Sequence, residues 1–151
     1  MSQYDQDVFE LRTFSFQGPV TGVCLREHKG DVLTCSRDGT VRRARLVGRK
    51  PTQYVRWIPW MEFVLAEDKS FKLVHEDPVI DMSVDGARVA TGCSGARVTL
   101  WDLERQERLR VLRGHLNGIR SVFLRGDWVL SGSRDKTVRL WSAKTGQNLR
   151  Y

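Results

Sequence analysis

His115, Ser131 and Asp135 are the residue types of nucleophilic hydrolysis: a hydroxyl to attack, an imidazole to take its proton, and a carboxylate to orient the imidazole. Trp141 follows them and would be a bystander in such chemistry. The set is not unique in the chain. His75, Thr91 and Trp101 stand 40 residues before His115, Ser131 and Trp141. The apolar positions between them recur at the same spacing: Val79, Met82, Val84, Val89, Val98 and Leu100 against Ile119, Val122, Leu124, Val129, Val138 and Leu140. Self-similarity at a fixed period marks a repeat architecture, in which each copy is one structural unit. In the second copy Gly95 replaces the aspartate, so His75 has no carboxylate partner there.

The elements that must carry these residues are short strands. Apolar and polar residues alternate over four to eight positions, bounded by Gly, Asp and Ser, as expected of an antiparallel sheet. A weaker copy, VTGVCLREHKGDVLTCSRDGTVRR from Val20, matches 119–140 if two extra residues are allowed between Leu25 and Asp31. Thr34, Asp38 and Val41 then fall on Ser131, Asp135 and Val138, whereas Arg43 takes a leucine position and Ala44 that of the tryptophan. The histidine is missing, Phe16 being nearest to its place. Ala44 and Trp101 lie 57 positions apart, 17 more than the period, and PTQYVRWIPWMEF holds most of the excess.

A Gly-His start, a Trp-Asp end and a 40-residue period resemble the WD40 repeat, carried here by GHLNGIRSVFLRGDWVLSGSRDKTVRLWS from Gly114 and WDLE from Trp101. The resemblance implies an all-β fold: a partial WD40-type β-propeller of about three four-stranded antiparallel blades in an open arc. It divides the single domain 1–151 into a degenerate blade at 8–46 that includes the outer strand of a preceding unit, an insertion at 47–65, a second blade at 66–103, a third at 104–142, and the start of a further outer strand at 143–151. Propellers close with four to eight blades, so this arc leaves its two end faces open and favours self-association. Either the chain is a fragment or isoform of a longer protein, or copies pair to complete a ring. A strand near 8–15 could also complete the last blade.

In WD40 blades the Trp indole N–H bonds a Ser or Thr hydroxyl, the hydroxyl bonds His, and His bonds the turn carboxylate. Carried over, His115, Ser131, Asp135 and Trp141 form a structural chain, with His75, Thr91 and Trp101 its incomplete counterpart, and neither set is catalytic. The carboxylate is needed because a buried polar group left unpaired costs about 1–3 kcal/mol. The resemblance also implies recognition of proteins or peptides at the rim, where two positions per blade face the partner: Arg120 and Arg134 in the third repeat, Ile80 and Ser94 in the second, Thr21 and Arg37 in the first. IRSV followed by SGSRD is similar to the blades of F-box/WD-repeat substrate receptors of ubiquitin ligases. Arginines at these places in that group read phosphorylated peptides, so Arg120 and Arg134, with Arg37, are the candidate phosphate clamp. No F-box-like helical segment accompanies them.

The resemblance implies a non-enzymatic interaction scaffold, and composition bounds the rest. The 151 residues are 40% hydrophobic, enough for a globular core. No apolar run reaches membrane-spanning length and MSQYDQDVFE lacks the features of a secretory signal, so an intracellular protein of cytoplasm or nucleus is expected. Cys24, Cys35 and Cys93 are too few for a disulfide framework and read as small buried side chains. Cys24, His28 and Cys35 lack metal-site spacing, no phosphate-binding glycine loop occurs, and no cofactor is expected. The net charge of +7 makes an anionic partner plausible, and the stretch 42–50, with Arg42, Arg43, Arg45, Arg49 and Lys50, offers nucleic-acid association as an alternative. A truncated product without independent function is a further alternative. Trp57, Trp60 and Phe63 are either an exposed recognition patch or a lid over an apolar face.

Overall fold

The computed structural model describes residues 16–26, 29–48 and 63–150, and among them every regular element is a strand. The first sheet holds β1 (Val20–Arg26), β2 (Asp31–Ser36), β3 (Thr40–Gly48) and β4 (Phe63–Val74). The second holds β5 (Val79–Asp85), β6 (Arg88–Cys93), β7 (Arg97–Asp102) and β8 (Glu107–Arg113). The third holds β9 (Ile119–Arg125), β10 (Trp128–Ser133), β11 (Val138–Ser142) and β12 (Asn148–Arg150). Each is an antiparallel meander in chain order, and among the described residues no helix is long and apolar enough to cross a membrane.

Turn chemistry sets the hairpins. Gly86 between β5 and β6 and Gly126 between β9 and β10 sit at φ 61° and 56°, and a Cβ on either would meet nothing. Their glycines therefore answer the left-handed backbone of a tight turn rather than a crowded space. The β3–β4 ladder extends to Gly48 and Phe63, so strand pairing reaches into the stretch 47–65. Trp57 and Trp60, the strand expected near 8–15, His28, Arg49 and Lys50 lie outside the described residues. The third sheet takes its fourth strand from β12.

The alternating pattern gives the second sheet two apolar faces. Val79, Met82, Val89, Cys93 and Trp101 of the second sheet pack with Leu33, Cys35, Val41, Phe71 and Leu73 of the first. Ala90, Val98, Leu100 and Leu112, from its other face, pack with Ile119, Val122, Leu124, Val129 and Trp141 of the third. Side chains of β5 also satisfy the edge of β9: Val122 N–H donates to Asp81 (2.8 Å), Leu124 N–H to Ser83 (2.9 Å) and Gly126 N–H to Asp85 (2.7 Å). An edge strand's unpaired amides are a liability, and here alternate residues of the neighbouring strand cap them.

The same register positions end differently at the two outer faces. Val98 is fully buried while its repeat mate Val138 is 63% exposed; Ala90 is fully buried while Leu130 is 41% exposed. On the first sheet Val20 is 47% exposed, where Val79 and Ile119 are buried.

Candidate functional site

The third sheet carries a continuous hydrogen-bonded chain. Trp141, near the end of β11, donates its indole N–H to Ser131 Oγ at 2.8 Å. Ser131 sits on β10 with its hydroxyl 2.8 Å from His115 Nε2, and His115 Nδ1 is 2.7 Å from Asp135 Oδ2. Since Ser131 Oγ accepts from the indole, its own hydrogen is directed at Nε2, which places the imidazole proton on Nδ1 facing the carboxylate. Burial raises the Asp135 carboxyl, but donors from Thr137 Oγ1 (2.7 Å), Leu116 N–H (2.9 Å), His115 and Thr137 N–H (2.9 Å) outweigh it and hold the group well below the usual carboxylate range. The connectivity is that of a hydrolase triad, yet Ser131 is 1% exposed and its oxygen is already engaged by Trp141. No substrate carbonyl can approach it, so the chain joins strands and loop rather than cleaving.

In the second sheet the chemistry is rewired. Trp101 N–H donates to His75 Nε2 directly at 3.0 Å, and Thr91 Oγ1 lies 2.8 Å from the same nitrogen while donating to Thr99 O at 3.2 Å. The missing aspartate is replaced by a backbone group of the first sheet: His75 Nδ1 lies 3.2 Å from Gly39 O, and His75 N–H donates to that same oxygen at 2.8 Å. Burial, with Arg97 and Arg108 nearby, keeps His75 below the ordinary imidazole pKa, against the raising effect of the Gly39 carbonyl and Asp77. At Gly95, a Cβ would fall on the Asp77 carboxylate, 2.5 Å from its Cγ and 2.9 Å from Oδ1. Arg97 holds that carboxylate and also bonds Glu76 at 2.6 Å. Asp77, Glu76 and Arg97 are thus working residues that the repeat reading passes over; the pairing of Gly95 with an aspartate at the register of Asn117 is the signal that could have revealed them.

The first sheet keeps the turn without the chain. Asp38 accepts from Thr40 Oγ1 (2.6 Å), Thr40 N–H (2.9 Å) and Gln17 N–H (3.2 Å), matching the contacts of Asp135 with Thr137 and Leu116. Phe16 stands at the histidine place with the Arg42 guanidinium 4.6 Å over its ring, Thr34 is half-buried on β2 beside Arg42, and Ala44 is buried. Of the cysteines, Cys35 and Cys93 are buried and Cys24 half-buried, all unpaired; burial pushes Cys93 up to about 12.

At the loop end of the sheets the rim positions converge. Arg37, Arg120 and Arg134 border one cavity of about 170 Å³ together with Ile80, Ser94 and the backbone of Gly118. All three arginines are exposed, and their guanidinium groups make no ion pair among the described residues. The loops that place them are built alike: Arg37 N–H bonds Pro19 O at 2.9 Å, Ser94 N–H bonds Pro78 O at 3.0 Å, and Arg134 N–H bonds Gly118 O at 2.9 Å. Thr21 instead turns inward, donating to Val79 O at 2.9 Å.

Four-stranded antiparallel meanders stacked face to face, with indole, hydroxyl and imidazole linked inside them, define a repeat protein of the propeller-blade class. The chain carries WD40 repeats: the WD domain, G-beta repeat family matches residues 9–42 and 106–142. It is similar to the "U3 snoRNP-associated protein-like EMB2271" of Arabidopsis thaliana, 29% identical over 136 residues, which cover 85% of this chain and 28% of that protein. It is also similar to the "F-box and WD repeat domain containing protein 10B" of Homo sapiens, 27% identical over 74 residues, covering 49% of this chain and 10% of that one. Among solved structures, that of U3-55K superposes with a TM-score of 0.69 at 17% identity, covering 93% of this chain and 40% of the other. The chain therefore spans under a third of the first relative's length.

Proposed function

We propose that this chain is a non-enzymatic interaction scaffold whose rim cavity binds an anionic, phosphorylated segment of a partner protein. The observation that carries this reading is the convergence of Arg37, Arg120 and Arg134, from two different sheets, on one cavity, their guanidinium groups making no ion pair among the described residues. A phosphate brings about −1.5 to −2 charges and several acceptor oxygens, which guanidinium groups match in a bidentate fashion. Ser94 adds a hydroxyl on the same wall, and Ile80 an apolar contact for a neighbouring side chain. The presence of an F-box in a relative's name supports a role in choosing substrates for a ubiquitin ligase, as one setting for such a scaffold.

Nucleic-acid association through 42–50 has less behind it, because Arg42 and Arg43 lie over the Phe16 and Phe71 rings at 4.6 and 4.5 Å and belong to the packing of the first sheet. The test is fluorescence anisotropy with a library of labelled phosphoserine and phosphothreonine peptides, their unphosphorylated forms and an oligonucleotide. Charge-assisted hydrogen bonds contribute about 1.5–3 kcal/mol each, so Arg120→Glu with Arg134→Glu should weaken phosphopeptide binding by more than about tenfold. Equal binding of phosphorylated and plain peptides, or an unchanged double variant, refutes the clamp; preferential binding of the oligonucleotide favours the polyanion reading.

A further inference from the structure

The second sheet contains a cavity of about 320 Å³ that does not belong to the rim, walled by Val74, His75, Glu76, Thr99, Trp101 and Arg108. Its origin lies in the repeat. Three ladder pairs occupy the same register: Thr34 with Arg42, Thr91 with Thr99, and Ser131 with Arg139. In the third sheet the Arg139 guanidinium lies 5.9 Å from the Trp141 ring, and it fits because Gly114 has no side chain: a Cβ there would be 2.7 Å from Nη1. In the first sheet the matching Arg42 lies 4.6 Å over the ring of Phe16, the aromatic at the histidine place. The second sheet has the aromatic wall, Trp101 edge-on to His75, but a threonine where the arginine should be. Among the described residues no cation lies over Trp101.

We propose that this space receives an arginine side chain supplied by a binding partner, its guanidinium on the Trp101 ring and directed to the Glu76 carboxylate. The third sheet supplies the precedent: Arg139 Nε is buried there with no hydrogen-bond partner, and its guanidinium lies 5.9 Å from the Trp141 ring. Aromatic faces attract guanidinium groups through the ring quadrupole, and tryptophan does so best. Glu76, its side chain 73% exposed and bonded to Arg97, stands at the mouth where a second guanidinium can share it. Arg97, which lines the same cavity but is tied to Asp77 and Glu76, and Arg108, exposed beside Trp101 on the ladder, oppose the incoming charge and set the affinity low.

The experiment titrates N-acetyl-arginine methylamide into the full chain with ¹⁵N-labelled tryptophan, following indole N–H resonances, Trp101 being assigned through Trp101→Phe. A saturable shift of Trp101, with Trp141 unmoved and N-acetyl-glutamate methylamide inert, is the result expected. Thr99→Arg fills the space from within and abolishes the shift. Arg108→Glu, at an exposed position, removes the repulsion and tightens binding about fivefold, as expected for charges near a protein surface. The proposal is overturned if Trp101 shows no saturable shift, if Thr99→Arg binds as well as the parent, if the glutamate probe binds better, or if Arg108→Glu leaves the affinity unchanged or weaker.

Discussion

The Asp77 carboxylate fills the volume that a side chain at Gly95 would take, so the aspartate of one blade has moved from the turn after β6 to the loop before β5. Arg97 fixes it there, two residues beyond Gly95 at the register of Thr137. Asp77 thus takes over the space of the turn aspartate, while its hydrogen bond to the imidazole is taken over by Gly39 O.

It follows that restoring the repeat's usual residue should harm the protein. Gly95→Asp is expected to destabilise by about 1–3 kcal/mol, because two carboxylates would compete for one space. Combined with Asp77→Gly, the loss should shrink by about 1 kcal/mol or more, a coupling expected of residues in contact. A double-mutant cycle in urea measures it; strictly additive effects would contradict the exchange.

The two tryptophans should respond unequally to removal of the indole N–H. Trp141→Phe leaves Ser131 Oγ, 1% exposed, without its donor and should cost about 1–3 kcal/mol. Trp101→Phe should cost less, since the Thr91 hydroxyl, 2.8 Å from His75 Nε2, can turn its hydrogen from Thr99 O to that nitrogen. Denaturation midpoints of the two variants decide; equal losses would place the indole of Trp101 in a more important role than its geometry supports.

Acid should weaken the fold in two stages. His75 has a depressed pKa in the folded state, so its contribution is full above the unfolded value near 6.5 and is lost as the pH falls below it. Asp135 and Asp38 are depressed as well; their contributions are full above about 4 and are lost as the pH falls from there toward their folded values. Thermal midpoints from pH 8 to 3 should show the upper stage disappear in His75→Gln and the lower one diminish in Asp135→Asn.

The exposed faces at the two ends of the stack carry the residues that bury each other between inner sheets. Leu130 and Val138 on the third sheet stand at the register of Ala90 and Val98, and Val20 on the first at that of Val79. A second copy can present its first sheet to the third sheet of the other, in the relation the second and third sheets already have. Light scattering is expected to give a concentration-dependent mass above one chain, and Leu130→Lys with Val138→Lys should return the monomer. A monomeric parent at all concentrations would exclude this association.

How much was readable beforehand varies with how local the determinant is. The chain Trp141–Ser131–His115–Asp135 was legible through the resemblance to WD40 blades, whose members fall at these positions, and its links all lie within one repeat copy. The replacement of the His75 partner by Gly39 O was not readable, since a carbonyl of another sheet leaves no mark on residue identity. Likewise Arg120 and Arg134 were legible as rim positions, whereas the gathering of Arg37 into the same cavity depended on how the first and third sheets stand about the second.

The amino-acid order alone indicated an all-β chain of four-stranded antiparallel units, because period-two alternation, glycine turns and a 40-residue recurrence act within each copy, whereas the pairing of β4 with β3 appeared only in the structure. Only the packing of one sheet on the next decided which amides β5 would cap, where a threonine in place of an arginine would leave a hollow, and which apolar faces would remain uncovered. Those outcomes depend on distances between residues far apart along the chain, and such distances exist only once the sheets are stacked.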